Sequence, residues 1–144
     1  MRRVVTDNQE YMRAWLSRMV QLDFPENSRF IGQEIDGELV AVVGYCGFLP
    51  NSCQMHVASV VDNWISRDLL WASFDYPFNK LKIRTILAPL CSDNKEALRL
   101  NRHLGFEVKA EIEDAHMDGN LTIMAMNREQ CKWLKIKTPL NQGE

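Results

Sequence analysis

His56 is the side chain best suited to chemistry in this sequence. It stands within 54–61, a run rich in β-branched and small residues that reads as a strand. Imidazole takes and returns a proton near pH 7 without needing a shifted pKa, so His56 is a candidate general base. A packed, hydrogen-bonded structural histidine is the alternative for such a position. His103 and His116 fall in surface or turn settings, and Glu34 and Glu38 flank a turn as solvated side chains. A second kind of chemistry is written at Ile65, Ser66, Arg67 and Asp68, where a helical pattern begins. First-turn amides carry about half a unit of positive charge and suit a phosphate group, with the Arg67 guanidinium available beside them. Ser66 as a plain cap and Arg67 as a solvated side chain are the alternatives. Asn94 opens a later helix and can cap it.

The elements that must position these residues follow from periodicity. Arg3 to Val5 reads as a short strand. Asp7 and Glu10 have capping-box spacing, and Tyr11, Met12, Trp15, Leu16, Met19 and Val20 recur at helical period, which predicts a helix over 8–21. Phe30 to Ile35 and Glu38 to Phe48 read as strands joined by Asp36-Gly37, the favoured two-residue hairpin turn. A strand over 54–61 follows, then a helix over 65–78 that frays at Pro77. Lys82 to Ala88 reads as a strand, Asn94 to His103 as a helix stopped by Gly105, and Phe106 to Glu113 as a strand with one wet face. Leu121 to Met126 is the last strand, and the polar tail 132–144 trails away. Residues 1–131 thus form one domain of mixed α/β (α+β) class.

Composition narrows the function. With 17 Lys and Arg against 19 Asp and Glu, the formal net charge is −2, which argues against a protein that chiefly grips nucleic-acid phosphates. No run approaches the ~18 apolar residues of a membrane helix, and the first residues lack the apolar centre of a signal peptide. A cytoplasmic location with reduced thiols is expected. Cys46, Cys53, Cys91 and Cys131 are scattered without paired spacing, so no metal site is expected. Nothing in the sequence fixes Cys46 or Cys91 as a nucleophile partnered with His56.

Asn94-Lys95-Glu96-Ala97 and, further along, Leu104-Gly105-Phe106 resemble the N-x-x-[AS]…LGF segment of the GNAT (GCN5-related N-acetyltransferase) superfamily. Asp75-Tyr76-Pro77-Phe78 before the 82–88 strand is similar to that family's helix-then-strand passage, and the element order matches from about residue 8 to 130. Phe106 to Met126 looks like the branch that acetylates ribosomal-protein N-termini, and like small phage and prophage acetyltransferase-like proteins. The resemblance implies a largely antiparallel sheet with helices on both faces and a V-shaped opening between two central parallel strands, here 54–61 and 82–88. It implies acetyl-CoA in that V, its pyrophosphate on the tip of the 65–78 helix. Val60, Val61, Ile65, Ser66, Arg67, Asp68, Asn94 and Ala97 then become cofactor-contacting candidates.

Two departures stand out. The family's glycine-rich turn is replaced by Val61-Asp62-Asn63-Trp64-Ile65-Ser66, and the tyrosine found in many relatives three residues before the LGF leucine is Asn101. Tyr45, Tyr76 or water must then protonate the departing thiolate. The implied reaction is acetyl transfer to a primary amine, with a protein or peptide as acceptor. A lysine-like amine of pKa about 10.4 resists deprotonation at pH 7 by roughly 4–5 kcal/mol, an α-amine near 8 by about 1 kcal/mol. Two other readings stay open: a GNAT-shaped binding module without turnover, such as a phage accessory protein acting on a host partner, and modification of a nucleobase amine. The family also forms homodimers through its sheet edges.

Overall fold

A computed structural model describes residues 1–142. Asp36 and Gly37 both take positive φ, 52° and 87°, and so form the tight turn between β2 (Arg29–Ile35) and β3 (Glu38–Leu49). Around this hairpin lie β1 (Arg2–Val5), α1 (Gln9–Val20), β4 (Ser52–Ser59), α2 (Arg67–Asp75) and β5 (Thr85–Cys91), then α3 (Lys95–Leu104), β6 (Glu107–His116) and β7 (Gly119–Asn127). They build a 7-stranded sheet in the order β1-β2-β3-β4-β5-β7-β6. Every pairing is antiparallel except β4 with β5. This is the mixed, largely antiparallel α+β sheet expected from the sequence.

Helix α1 covers one face of the sheet. Met12, Trp15 and Leu16 pack with Val5, Phe30 and Val42 there. Gly44 makes the close approach feasible, because a Cβ at that position would lie 2.6 Å from Leu16 Cδ2 and 3.0 Å from Phe30 Cε1. The larger core lies on the other face, where Leu69, Phe74 and Phe78 meet Ile86, Ala88, Met124 and Met126, with Leu104 and Phe106 at the end of α3. Gly105 stops α3 in the left-handed conformation, at φ 116°.

Several boundaries differ from the sequence expectation, β5 among them: it runs Thr85–Cys91 through Pro89, three residues later than the strand expected over 82–88. The capping box at Asp7 does not form; Asn8 takes φ 61° at the start of α1 without a side-chain bond, and the Gln9 amide ties this end to Phe30 instead. Strand β4 ends at Ser59, so Val60 and Val61 leave it, although Val60 N–H still donates to the Val40 carbonyl at 2.9 Å. The 65–78 helix is α-helical only to Asp75 and widens into a π turn over Tyr76–Lys80, where Pro77 has no N–H to give. Strand β6 is exposed on both faces, not one. A register shift between Val108 and Ala110 interrupts its alternation, and Val108 and Ile112 stand 43% and 45% exposed.

The C-terminal segment does not trail away. Trp133 and Leu134 pack on the larger core, and Trp133 Nε1–H donates to the Leu104 carbonyl at 2.7 Å. Thr138 is buried and caps a short turn over Pro139–Asn141. No helix of the described residues is long and apolar enough to cross a membrane.

Candidate active site

Parallel pairing of β4 with β5 lasts three rungs: Ser52, Cys53 and Gln54 against Thr85, Ile86 and Leu87. Beyond Gln54 the strands part, and β4 from Met55 onward has no ladder partner on its β5 side. The gap is a 220 Å³ cavity between Met55, His56 and Val57 on one wall and Ala88, Pro89, Leu90 and Cys91 on the other. Ala97, Leu100, Asn101 and Leu104 of α3 also border it, as does Val20 at the end of α1. A wider groove of 890 Å³ continues past Val57, Ala58 and Ser59 to Val61, Asp62, Trp64 and Ile65. Val20, Val57, Asn94, Ala97 and Leu100 border both spaces, which makes them one continuous cleft.

Of the sequence candidates, His56, Val61, Ile65, Asn94 and Ala97 border this cleft. His56 is opposite Gly44 in the ladder, on the α1 face, with the Phe24 ring edge-on at 5.7 Å. Its Nε2 lies 3.1 Å from Gln54 Oε1. Burial away from water pushes its pKa down to about 4, so the imidazole is neutral at pH 7. Asn94 is a helix cap, its side chain accepting from Ala97 N–H at 3.1 Å, and this cap lies at the junction of the two spaces.

The remaining candidates are placed elsewhere. Tyr45 is wholly buried and its hydroxyl donates to the Ser73 carbonyl at 2.5 Å. Burial raises its pKa well above the ordinary phenol value, so as a proton donor to the cleft Tyr45 is corrected to a core residue. Val60 is 57% exposed and does not border the cleft. Ser66 accepts from Leu69 N–H at 3.0 Å and donates to Gln33 Oε1 at 2.7 Å, which makes it a cap bound to the buried Gln33. The Arg67 guanidinium donates to the Lys137 carbonyl from an exposed position and does not border the cleft. Asp68 shares that first turn, whose amides at Arg67 and Asp68 have no intrahelical acceptor.

Sequence reasoning missed Val20 and set His103 aside as a surface residue. Arg99 and His103 line the outer groove beside Asp62 and Glu96, so that wall carries both signs of charge. Arg99 is one of several cations on α3, and its place in the groove depends on how the helix rotates over the parted strands. Val20 belongs to a helix whose apolar face reads simply as core. Among the described residues, no group of three or more His, Cys, Asp or Glu is gathered as for a metal ion.

No family profile and no curated protein matches the chain. Solved structures do. The Salmonella typhimurium protein yncA, solved with its cofactor acetyl-CoA, superposes with a TM-score of 0.70 at 14% identity, over 88% of this chain and 93% of its own. The fold is that of the GNAT acetyltransferases. Spermidine N-acetyltransferase SpeG of Vibrio cholerae, in complex with CoA and spermine, gives 0.72 at 12% identity over 90% and 96% of the two chains. N-acetyltransferase PseH of Campylobacter jejuni, in complex with acetyl coenzyme A, gives 0.60 at 14% over 89% and 99%.

Proposed function

We propose that the protein is an acetyl-CoA-dependent N-acetyltransferase whose acceptor is a primary amine of a protein or peptide. The observation that carries this reading is the early parting of β4 and β5 around a neutral histidine. The inner cavity is narrow and mostly apolar, bordered by Met55, Val57, Ala88, Leu90 and Leu100, which suits a slim acyl-bearing arm. The outer groove offers Arg99 and His103 to an anionic group, while Asp62 and Glu96 oppose it. The likeness in fold to acetyltransferases solved with acetyl-CoA supports the same choice.

When bound, acetyl-CoA supplies an acetyl group activated as a thioester, open to attack by an amine with departure of the CoA thiol. The chain's own residues then have three tasks. Main-chain amides of β4 beyond Gln54, released from the ladder on the β5 side, donate to a carbonyl oxygen held in the gap. Val20, Met55 and Leu90 wall the cavity against water. His56, already unprotonated, takes a proton from the attacking nitrogen, which becomes strongly acidic as its new bond forms.

Magnitudes favour an acceptor of low pKa. Moving a proton from a lysine-like ammonium, pKa about 10.4, to an imidazole near 4 is uphill by roughly 9 kcal/mol. An α-amine near 8 already supplies about a tenth of its molecules in the free-base form at pH 7, and needs help only after attack. An N-terminal α-amine is therefore the acceptor proposed, in keeping with the ribosomal-protein branch that the sequence resembles.

A second reading, a binding module without turnover, is favoured by the glycine-free turn 61–66 and by the engagement of Arg67 with Lys137. Thermal unfolding with and without acetyl-CoA tests the first half of the proposal. Ligand at 100 times its dissociation constant should stabilise the fold by about 2.7 kcal/mol. Thiol release with α-amino peptides against lysine side-chain analogues tests the second. Binding without release under any amine would select the module.

A further inference from the structure

Gln54 and His56 are two residues apart on β4 and project to the same face. The His56 Nε2 lies 3.1 Å from Gln54 Oε1, and Cys46, paired with Gln54 across the ladder, has its Sγ 3.7 Å from the same oxygen. An amide oxygen only accepts, so both neighbours act as donors to it: the thiol through S–H and the imidazole through Nε2–H. The next residue of β3 also serves this arrangement. Gly47 has φ +61°, and a Cβ there would lie 3.1 Å from Gln54 Nε2 and 3.3 Å from its Cδ. The register shift of β3 after Cys46 thus presents a glycine where any side chain would crowd the amide.

We propose that Gln54 is the positioning residue for His56, its amide oxygen holding the imidazole in the Nε2–H tautomer so that Nδ1 is the atom that accepts the proton. The inference rests on the acetyltransferase reading for its role in catalysis, and on geometry alone for the tautomer. A tautomer set by the bond at the other ring nitrogen is a general way of aiming a histidine. In this site the proton passes from the attacking amine nitrogen to Nδ1, giving an imidazolium, and leaves it for the departing thiolate, which becomes the thiol. The ring ends as it began, with its proton on Nε2.

The groups around His56 leave this bond as its main polar constraint. From β3 it meets Gly44 opposite and Cys46 through Gln54; from β5, Cys91 borders the same cavity; from α1, Val20 does; from α3, Asn94 and Asn101 do. The Phe24 ring covers it from the loop after α1. Arg13 stacks on Phe30, which stands edge-on to Phe24, so two rings separate that cation from the imidazole.

Imidazole nitrogen NMR of the ligand-free protein, joined to a pH profile of kcat/KM, tests the proposal. The wild type should show His56 as one neutral tautomer with the proton on Nε2. Gln54→Leu should give a mixture or the Nδ1–H form and lose tenfold or more in kcat with little change in KM for acetyl-CoA. Gln54→Glu should keep the Nε2–H form and raise the separate His56 break at the acid end of the profile, below the acceptor amine's own limb, by one unit or more, since a carboxylate stabilises the imidazolium. Gly47→Ala, which leaves both side chains in place, should disturb the same resonances. A wild-type Nδ1–H tautomer, or no change of tautomer in Gln54→Leu, overturns the proposal whatever the activity. If the tautomer responds as expected but His56→Ala turns over like wild type, the catalytic role of His56 fails and the positioning role with it.

Discussion

Arg67 holds the main-chain carbonyl of Lys137 through both Nε, at 3.3 Å, and Nη2, at 3.1 Å. The bond latches the C-terminal segment to the start of α2 and takes the guanidinium away from the cleft. Arg99 is instead the arginine bordering the outer groove. Arg99→Ala is therefore expected to weaken acetyl-CoA binding five- to tenfold, close to the 1.4 kcal/mol of a charge-assisted contact. Arg67→Ala should change it less than threefold. Isothermal titration of both variants decides the matter, and a larger loss from Arg67→Ala would restore that residue to the phosphate site.

The fold was legible where local chemistry and tertiary packing agree. Asp36-Gly37 must turn tightly, Gly105 must stop a helix, and β-branched runs must pair, so element order followed. The tail was misread because Lys132, Lys135 and Lys137 dominate its composition, whereas Trp133, Leu134 and Thr138 are the residues that dock. Long basic side chains stay in water while their neighbours pack, and a count of charges misses that. In the site, His56, Asn94 and Ala97 stood out because residue type or motif spacing marks them. Tyr45 was chosen for its hydroxyl alone, and only the distance to Ser73 reveals that the proton is already committed. Arg99 and Val20 carry no local mark; the parting of β4 and β5 gives them their place.

Stability should depend on pH through His56. Its pKa in the folded protein is about 4, below the ordinary value near 6.5 of the unfolded chain. Between those values the unfolded chain binds the extra proton, so stability falls as pH drops from about 6.5 toward 4 and levels off below it. Above 6.5 both states are neutral and the contribution is constant. The fall amounts to roughly 3 kcal/mol for a shift of this size. Urea unfolding of wild type and His56→Gln across that window should show the slope in the first and its loss in the second. Parallel curves would mean that the imidazole is hydrated.

The same neutrality shapes the rate profile. Since His56 is unprotonated throughout the physiological range, kcat/KM should rise with pH along the ionisation of the acceptor amine itself. No inflection near 6.5 is expected for wild type. Two acceptors of different amine pKa, assayed over pH 5.5–9, should give midpoints that move with the acceptor. A common midpoint near 6.5 for both would assign the titration to a histidine and contradict the buried setting.

Gly44 tests the packing that brings α1 over the site. A methyl at this position would meet Leu16 Cδ2 at 2.6 Å and two atoms of Phe30 at 3.0 and 3.1 Å. Leu16 and Phe30 are themselves fully enclosed, so the strain has no open space to relax into. Gly44→Ala should cost about 1–3 kcal/mol, as overpacked cores do. Denaturant unfolding reads this directly, and an unchanged midpoint would show that α1 rides more loosely over the sheet.

Ala97 lies where the two halves of the cleft join, its side chain only partly buried against the larger core and its N–H held by Asn94. A bulky residue there can extend into the cleft without breaking the cap, because the capping bond uses the backbone. Ala97→Phe should therefore leave the melting temperature within about 3 °C while raising the acetyl-CoA dissociation constant at least thirtyfold. The two readouts separate obstruction from misfolding: a folded variant that no longer binds locates the ligand between β4, β5 and α3. A folded variant that binds as well as wild type would put acetyl-CoA somewhere other than the gap between the parted strands.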